Sequence, residues 1–266
     1  MQTDKLDQLR SLRGLIIDMD GTLWQGDQPL PGLVRFFEVL RRKEIKFILA
    51  TNNNTQTPQG FIQKAAGMGV EIKTDEVMTA SLATVEYLKT HYPQGSPVYV
   101  VGEAPFKGLI SEAGFFLTEK DPVAVVATMD RGLTYDMLKR ATLLIRAGAD
   151  FIAPNGDKNY PTQEGIVPGA GAVLAAIIAG SERLPRIMGK PESALFDISL
   201  ARMGLPAGEV ASLGDRLDTD IEGGLRAGLK TILVLSGVTS AEEAGRSPIK
   251  ADWIASGIDE LSNLLS

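Results

Sequence analysis

The 266-residue chain contains no cysteine and a single histidine, His91. Disulfides, thiolate metal sites and cysteine nucleophiles are thereby excluded, and so is a histidine-rich zinc site. His91-Tyr92-Pro93 follows a helical segment, a place where an imidazole caps a helix end more readily than it serves a catalytic triad. The chain also lacks an excess of positive charge. Its 27 Lys and Arg face 33 Asp and Glu, a net −6, which removes the electrostatic drive for nucleic-acid binding. No apolar run approaches the roughly 18 residues of a bilayer span; stretches such as Ala170 to Ala179 fall well short, and no membrane association is expected. Residues 1–13 mix Asp4 and Asp7 with Lys5, Arg10 and Arg13 without a signal-like apolar stretch, so a cytoplasmic location is expected. Chemistry is left to carboxylates, lysine, asparagine, threonine and the backbone.

What is present is a globular balance, with 44% hydrophobic and 23% charged residues. Strand-length β-rich runs recur at Leu15–Ile17, Phe47–Leu49, Val98–Val101, Val123–Val126, Phe151–Ala153, Arg186–Met188, Val210–Leu213 and Thr231–Leu235. Helical spacing fills the intervals, for example Leu33, Phe36, Phe37 and Leu40. This alternation predicts an α/β fold with a parallel sheet. Polar residues gather where apolar runs end: Asp18-Met-Asp20-Gly-Thr22, Thr51-Asn-Asn-Asn54, Gly189-Lys190-Pro191 and Gly214-Asp215 through Asp220. Ligands bind outside the carboxyl ends of strands in open parallel sheets, so the four clusters are expected to meet in one crevice. Residues 81–185 read as an inserted α/β unit between the second and third clusters, leaving 1–80 plus 186–266 as the core, with the crevice between core and insert.

Asp18 and Asp20 lie one residue apart after a buried run, although Asp20-Gly21 is also a strong turn dipeptide. With Asp215, Asp218 and Asp220 added, mutual repulsion would raise carboxyl pKa values or demand a cation. A hard divalent ion such as Mg²⁺ takes oxygen ligands of this kind. Lys190 reads alone as a solvated lysine and beside these acids as their partner. Thr51 and the asparagines read as a plain turn or as donors for phosphate oxygens. Carboxylates, divalent metal, lysine and neutral donors together suit phosphoryl transfer, with an aspartate as nucleophile.

In order along the chain, Asp18-Met-Asp-Gly-Thr22, Thr51, Lys190 and Gly214-Asp215 through Asp220 resemble the four motifs of the haloacid dehalogenase superfamily. Asp130-Arg-Gly-Leu-Thr-Tyr135, Gly165-Ile-Val-Pro-Gly-Ala-Gly171, Gly189-Lys-Pro191 and Gly214-Asp-Arg-Leu-Asp-Thr-Asp-Ile221 narrow the resemblance to its NagD-like, p-nitrophenyl phosphatase-like branch (subfamily IIA). The resemblance implies a Rossmann-like core with a C2-type α/β cap and a Mg²⁺-dependent phosphomonoester hydrolase acting on a small phosphorylated metabolite. It implies Asp18 as nucleophile and metal ligand, and Asp20 as general acid and base whose carbonyl also binds metal. Thr51 and Lys190 would hold the phosphoryl group together with Gly21, Asn52 and Asn53. Asp215 and Asp220 would complete the metal site, while Asp218 occupies a variable position. Asp130 and Asn155, at the ends of cap strands, read either as turn formers or as substrate contacts. The glycines of Gly165–Gly171 are expected to pack cap against core, and Trp24 with the Gly26-Asp27 turn reads as a flap or as core. By analogy a homodimer through the cap is expected. The alternatives are a phosphotransferase or phosphomutase using the same aspartyl-phosphate, and a non-catalytic phosphate-binding protein.

Overall fold

The structure is a computed structural model that describes residues 2–53, 56–162 and 164–266; Asn54 of the second polar cluster lies outside the described residues. The chain divides into two compact units, Met1–Thr79 with Lys190–Ser266, and Ala80–Gly189.

The first unit is built on a six-stranded sheet. From edge to edge it runs Trp253–Ala255, Lys230–Val234, Val210–Gly214, Gly14–Ile17, Lys46–Thr51 and Val77–Thr79. Every pairing is parallel. Leu15, Ile16 and Ile17 are buried on both faces of the sheet, as expected when helices cover a parallel sheet and its strands become continuous apolar runs. The helix Leu33–Arg42 turns Leu33, Phe36, Phe37, Val39 and Leu40 inward, while Arg41 and Arg42 occupy its last turn. Phe37 meets Phe47 edge to face at 5.0 Å between centroids, fastening this helix to the strand Lys46–Thr51. Leu261 and Leu265 of the closing helix Ile258–Leu265 belong to the same core.

The first strand is where the chain changes direction across the sheet. Residues 46–79 build outward on one side of Gly14–Ile17 and residues 210–255 on the other. The strands begin together, with Gly14 level with both Lys46 and Val210, so their carboxyl ends also lie together. Asp18, Thr51 and Asp215 are therefore brought to one edge of the sheet by topology, at the switch point where open α/β sheets bind ligands.

The second unit is a five-stranded parallel sheet in the order Arg186–Ile187, Asp150–Ala153, Ala124–Ala127, Pro97–Val101, Phe116–Leu117. The helices Tyr135–Arg146 and Ala170–Ser181 pack on it through Ala141, Ile145, Val173, Leu174 and Ile177. An antiparallel pair, Asn159–Thr162 with Gly165–Pro168, precedes the second of these helices. One placement differs from the sequence expectation. Arg186–Ile187, assigned above to the start of the core's second half, pairs with Ile152 and Ala153 and so extends the second unit's sheet. Two of the glycines in Gly165–Gly171 serve close packing inside the second unit: a Cβ at Gly169 would lie 2.4 Å from the Asp157 carbonyl oxygen, and one at Gly171 would lie 2.5 Å from that of Gly156. Backbone approaches backbone there, which only glycine permits. His91 ends the helix Ala80–His91, with Nδ1 2.8 Å from the Tyr87 carbonyl and the ring stacked on Tyr87.

Among the described residues no helix is long and apolar enough to cross a membrane. Phe36 has no exposed surface and touches the centre of the first unit's core. Phe36→Ala is expected to lower unfolding free energy by about 3–5 kcal/mol in urea titration, through lost burial and the cavity left behind.

Candidate active site

The chemistry converges on one ammonium group. Lys190 Nζ donates to Asp18 Oδ1 at 2.5 Å, to Asp220 Oδ1 at 2.6 Å and to the Ala50 carbonyl at 3.0 Å. The lysine is 4% exposed and Asp220 1%. Asp18 sits one residue beyond its strand and donates its backbone N–H to the Leu213 carbonyl at 2.8 Å, locking it between two neighbouring strands. Asp215 stands on the other side and is fully buried. One positive charge thus faces three acids away from water. Burial pushes the Asp18 carboxyl up to about 8; Lys190 opposes the rise, and the neighbouring Asp220 and Asp215 add to it. Burial raises Asp215 as well. Burial works against the charge on Lys190, but the pull of Asp18 and Asp220 wins and holds its pKa above the ordinary lysine value. Burial is thus the main cause for the acids, with their mutual repulsion adding to it, while the lysine is held charged by the carboxylates it faces.

Glycines make room for this cluster of acids. A Cβ at Gly214 would lie 2.2 Å from Asp220 Cγ, one at Gly21 would lie 2.4 Å from Asp215 Oδ2, and one at Gly237 would lie 2.0 Å from the same oxygen. Gly21 also has φ 86°, a left-handed conformation that disfavours any side chain. Asp215 Oδ2 accepts from the Val238 N–H at 2.6 Å, whereas Asp215 Oδ1 is buried and has no hydrogen-bond partner among the described residues. Asp18, Asp215 and Asp220 each offer an oxygen within 4.8 Å of the others. An orphaned carboxylate oxygen in an all-oxygen, net-negative cluster fits a hard divalent cation such as Mg²⁺.

Thr51 ends its strand, 4% exposed, and its Oγ1 accepts from the Asn53 N–H at 3.0 Å, which leaves the hydroxyl proton for another acceptor. Asn52 grips the main chain of Lys190 from both sides: Nδ2 donates to the Lys190 carbonyl and Oδ1 accepts from the Lys190 N–H, each at 2.8 Å. That use, across 138 positions of sequence, was not foreseen. The Gly21 N–H donates to the Trp24 carbonyl at 2.7 Å, and the Gly21 carbonyl accepts from Ser236 Oγ at 2.8 Å. Asp20 carries a half-exposed side chain, unlike its buried neighbours. Asp218 turns to the surface and pairs with Arg216 at 3.0 Å, which lowers its carboxyl pKa. Asp130 and Asn155 belong to the other unit. There Asp130 Oδ1 accepts from the Gly132 N–H at 2.9 Å, and Asn155 Oδ1 accepts from the Asp157 N–H at 3.3 Å; both are turn-forming bonds.

Sequence reasoning missed the segment Ser236-Gly-Val-Thr239, which follows the strand Lys230–Val234. Besides the contacts of Ser236, Gly237 and Val238, the Thr239 N–H donates to the Asp215 carbonyl at 3.1 Å. The available signal was a Ser-Gly pair just past a buried strand end, on the same sheet edge as Asp18 and Asp215.

Two outcomes are expected. The Asp18 carboxyl titrates near 3.8 when unfolded and at about 8 when folded, so folding favours its protonated form. Its contribution is fully favourable below pH 3.8 and is lost as pH rises through 8. In chelator, Asp18→Asn should therefore melt above wild type at pH 8, by about 2–4 °C per kcal/mol of repulsion relieved, with the gap closing toward pH 4; Mg²⁺ should raise the wild-type melting temperature more than the variant's. Gly237→Ala should weaken Mg²⁺ binding by about 10–100-fold in calorimetry, because its Cβ displaces Asp215.

Comparison with known proteins agrees with this geometry. Residues 15–116 match the model of the haloacid dehalogenase-like hydrolases, and residues 187–261 match that of the HAD-hydrolase-like family. An acid sugar phosphatase of Staphylococcus haemolyticus is 36% identical over 88% of this chain and 89% of its own. The crystal structure of 4-nitrophenylphosphatase from Thermotoga maritima superposes with a TM-score of 0.90 at 35% identity, covering 97% of this chain and 99% of that one. Glycerol phosphate phosphatase from Mycobacterium tuberculosis, solved in complex with magnesium, gives 0.84 at 31% identity over 97% and 80%. With its four acid, hydroxyl and lysine clusters gathered on one sheet edge, the chain belongs to the haloacid dehalogenase-like hydrolases, in their NagD-like, p-nitrophenyl phosphatase-like branch.

Proposed function

We propose that this chain is a Mg²⁺-dependent phosphomonoester hydrolase that works through an aspartyl-phosphate on Asp18. The observation that carries the reading is the Asp18 carboxylate held by Lys190 beside the unpartnered Asp215 oxygen. The names of the relatives support small phosphorylated substrates, and one of them is a magnesium complex. Asp18, Asp215 and the Asp20 carbonyl would hold the ion, with Asp220 supporting the site. Bound Mg²⁺ supplies positive charge that neutralises the carboxylates and the phosphoryl oxygens.

An Asp18 carboxylate oxygen attacks phosphorus and the bond to the ester oxygen breaks. Lys190 keeps that carboxylate oriented and offsets charge on the transferring group. The Thr51 hydroxyl donates to a phosphoryl oxygen. Asp20 gives its proton to the departing alcohol oxygen, then takes one from the water that attacks the aspartyl-phosphate, which returns Asp18 and releases phosphate. Asn52 serves by fixing the peptide that carries Lys190.

The substrate class is a nucleoside monophosphate, sugar phosphate or aryl phosphate rather than nucleic acid. Ala80–Gly189 is read as the C2-type cap that selects among these, with Asp130 and Asn155 its candidate contacts and a second copy of the cap its candidate partner. The cytoplasm is the location proposed.

p-Nitrophenyl phosphate hydrolysis, measured with and without Mg²⁺, tests the reading. Wild type should turn over only with the ion, and Asp18→Asn should lose at least about 1000-fold in kcat. Retained Mg²⁺-dependent turnover in that variant overturns the mechanism.

A further inference from the structure

Asp20 differs from the other acids of the site in being half exposed, its side chain retaining 48% of its accessible surface. A carboxyl so placed has rotamer freedom, and a proton donor delivers only when held at a defined position. The structure shows what holds it. Trp24 Nε1 donates to Asp20 Oδ1 at 3.0 Å, and Trp24 itself is 0% exposed. An indole has one donor and no acceptor, and leaving that N–H unsatisfied in the interior is costly, so the buried ring and the half-exposed acid constrain each other.

The backbone enforces the same pairing. Residues 20 and 24 form an isolated β-bridge, and the Gly21 N–H reaches the Trp24 carbonyl. Leu23 N–H donates to the Met19 carbonyl at 2.8 Å, closing a helical turn between the two acids and the tryptophan. Lys64, in the last turn of the helix Pro58–Gly67, completes the arrangement. Its Nζ lies 5.0 Å from the Trp24 ring centroid and 3.9 Å from both Asp20 Oδ1 and Asp27 Oδ1. A cation over the ring polarises the indole and makes its N–H a better donor. Asp20 Oδ1 thus faces an N–H and an ammonium, while Oδ2 has no hydrogen-bond partner among the described residues.

We infer that Trp24 is a positioning residue for proton transfer: by occupying Oδ1 it fixes the Asp20 rotamer and leaves Oδ2 as the oxygen that carries the proton. Oδ2–H protonates the ester oxygen as the bond to phosphorus breaks, and the resulting carboxylate takes a proton from water in the second step, so the acid is regenerated. The inference rests on the reading of Asp20 as general acid and base.

The leaving group provides a readout that packing alone does not move. p-Nitrophenolate departs without help, whereas the alkoxide of glycerol phosphate must be protonated. kcat/KM, which reports the steps through the first bond cleavage, is measured for both substrates in wild type, Trp24→Phe and Asp20→Asn, all with Mg²⁺. Trp24→Phe should lose about 10-fold or more in kcat/KM on glycerol phosphate beyond its loss on p-nitrophenyl phosphate, and Asp20→Asn should show a larger difference of the same sign, within the 10²–10⁴-fold range of acid–base catalysis. Equal losses on the two substrates in Trp24→Phe, with the difference present in Asp20→Asn, overturn the role of Trp24. Absence of the difference in Asp20→Asn overturns the role of Asp20 instead. Should Trp24→Phe fail to fold, benzothienylalanine incorporated at position 24 keeps the bicyclic shape without the N–H and is judged by the same comparison.

Discussion

The site depends on a shortage of positive charge. One buried ammonium, Lys190, is shared by Asp18 and Asp220 while Asp215 stands nearby with an oxygen that no described residue satisfies. A cluster of this composition is poorly stable by itself, since each buried carboxylate needs a counter-charge or hydrogen bonds to remain ionised. The surrounding architecture answers that need incompletely. Backbone N–H groups from Val238 and Arg216 reach Asp215 and Asp220, and glycines at 21, 214 and 237 keep the space open. The shortfall that remains matches what a divalent cation would bring. Strain of this kind at a functional site is tolerated because the six-stranded sheet and its helices provide a large apolar core beneath it.

The sequence made the main features readable because parallel α/β architecture places chemistry in a predictable position. All eight β-rich runs are strands, and Asp18, Thr51 and Asp215 lie at the strand ends where polar clusters interrupted apolar runs. Val77–Thr79, Phe116–Leu117 and Trp253–Ala255 escaped notice because two or three residues cannot display a period, and their strand character comes from a neighbour already in place. The pairing of Arg186–Ile187 went astray for the same reason: a two-residue strand takes its sheet from tertiary contact, and nothing local distinguishes the sheet of one unit from that of the other.

Side-chain partnerships were less legible than side-chain chemistry. Asn52 was readable as a donor, but its engagement with the Lys190 main chain depends on two segments 138 positions apart meeting in the fold. Trp24 was readable as large and apolar, and its hydrogen bond to Asp20 depends on the winding of the intervening loop. Ser236 to Thr239 contains no ionisable group, so a search for titratable residues passes over it; its contribution is made by backbone N–H groups and by the absence of a side chain at Gly237. Chemistry carried by a functional group is visible in one dimension, and chemistry carried by a void or a peptide bond is visible only once the chain has folded.

The order of segments also bears on how the molecule is made. The central strand Gly14–Ile17 is flanked by Lys46–Thr51, synthesised soon after it, and by Val210–Gly214, synthesised almost two hundred positions later. The unit Ala80–Gly189 is continuous, and all the strand partners of its sheet are present before Val210 is added. Domains fold as units during vectorial synthesis, N-terminal ones generally first. In this chain the opening strand belongs to the unit whose sheet is completed last, so Leu15–Ile17 would emerge with one long face of hydrogen-bonding groups unpaired until the carboxyl-terminal half arrives. The apolar run that leads into Asp18 would therefore be, for most of the time the ribosome is working, an exposed strand edge of the kind that chaperones and aggregation both compete for.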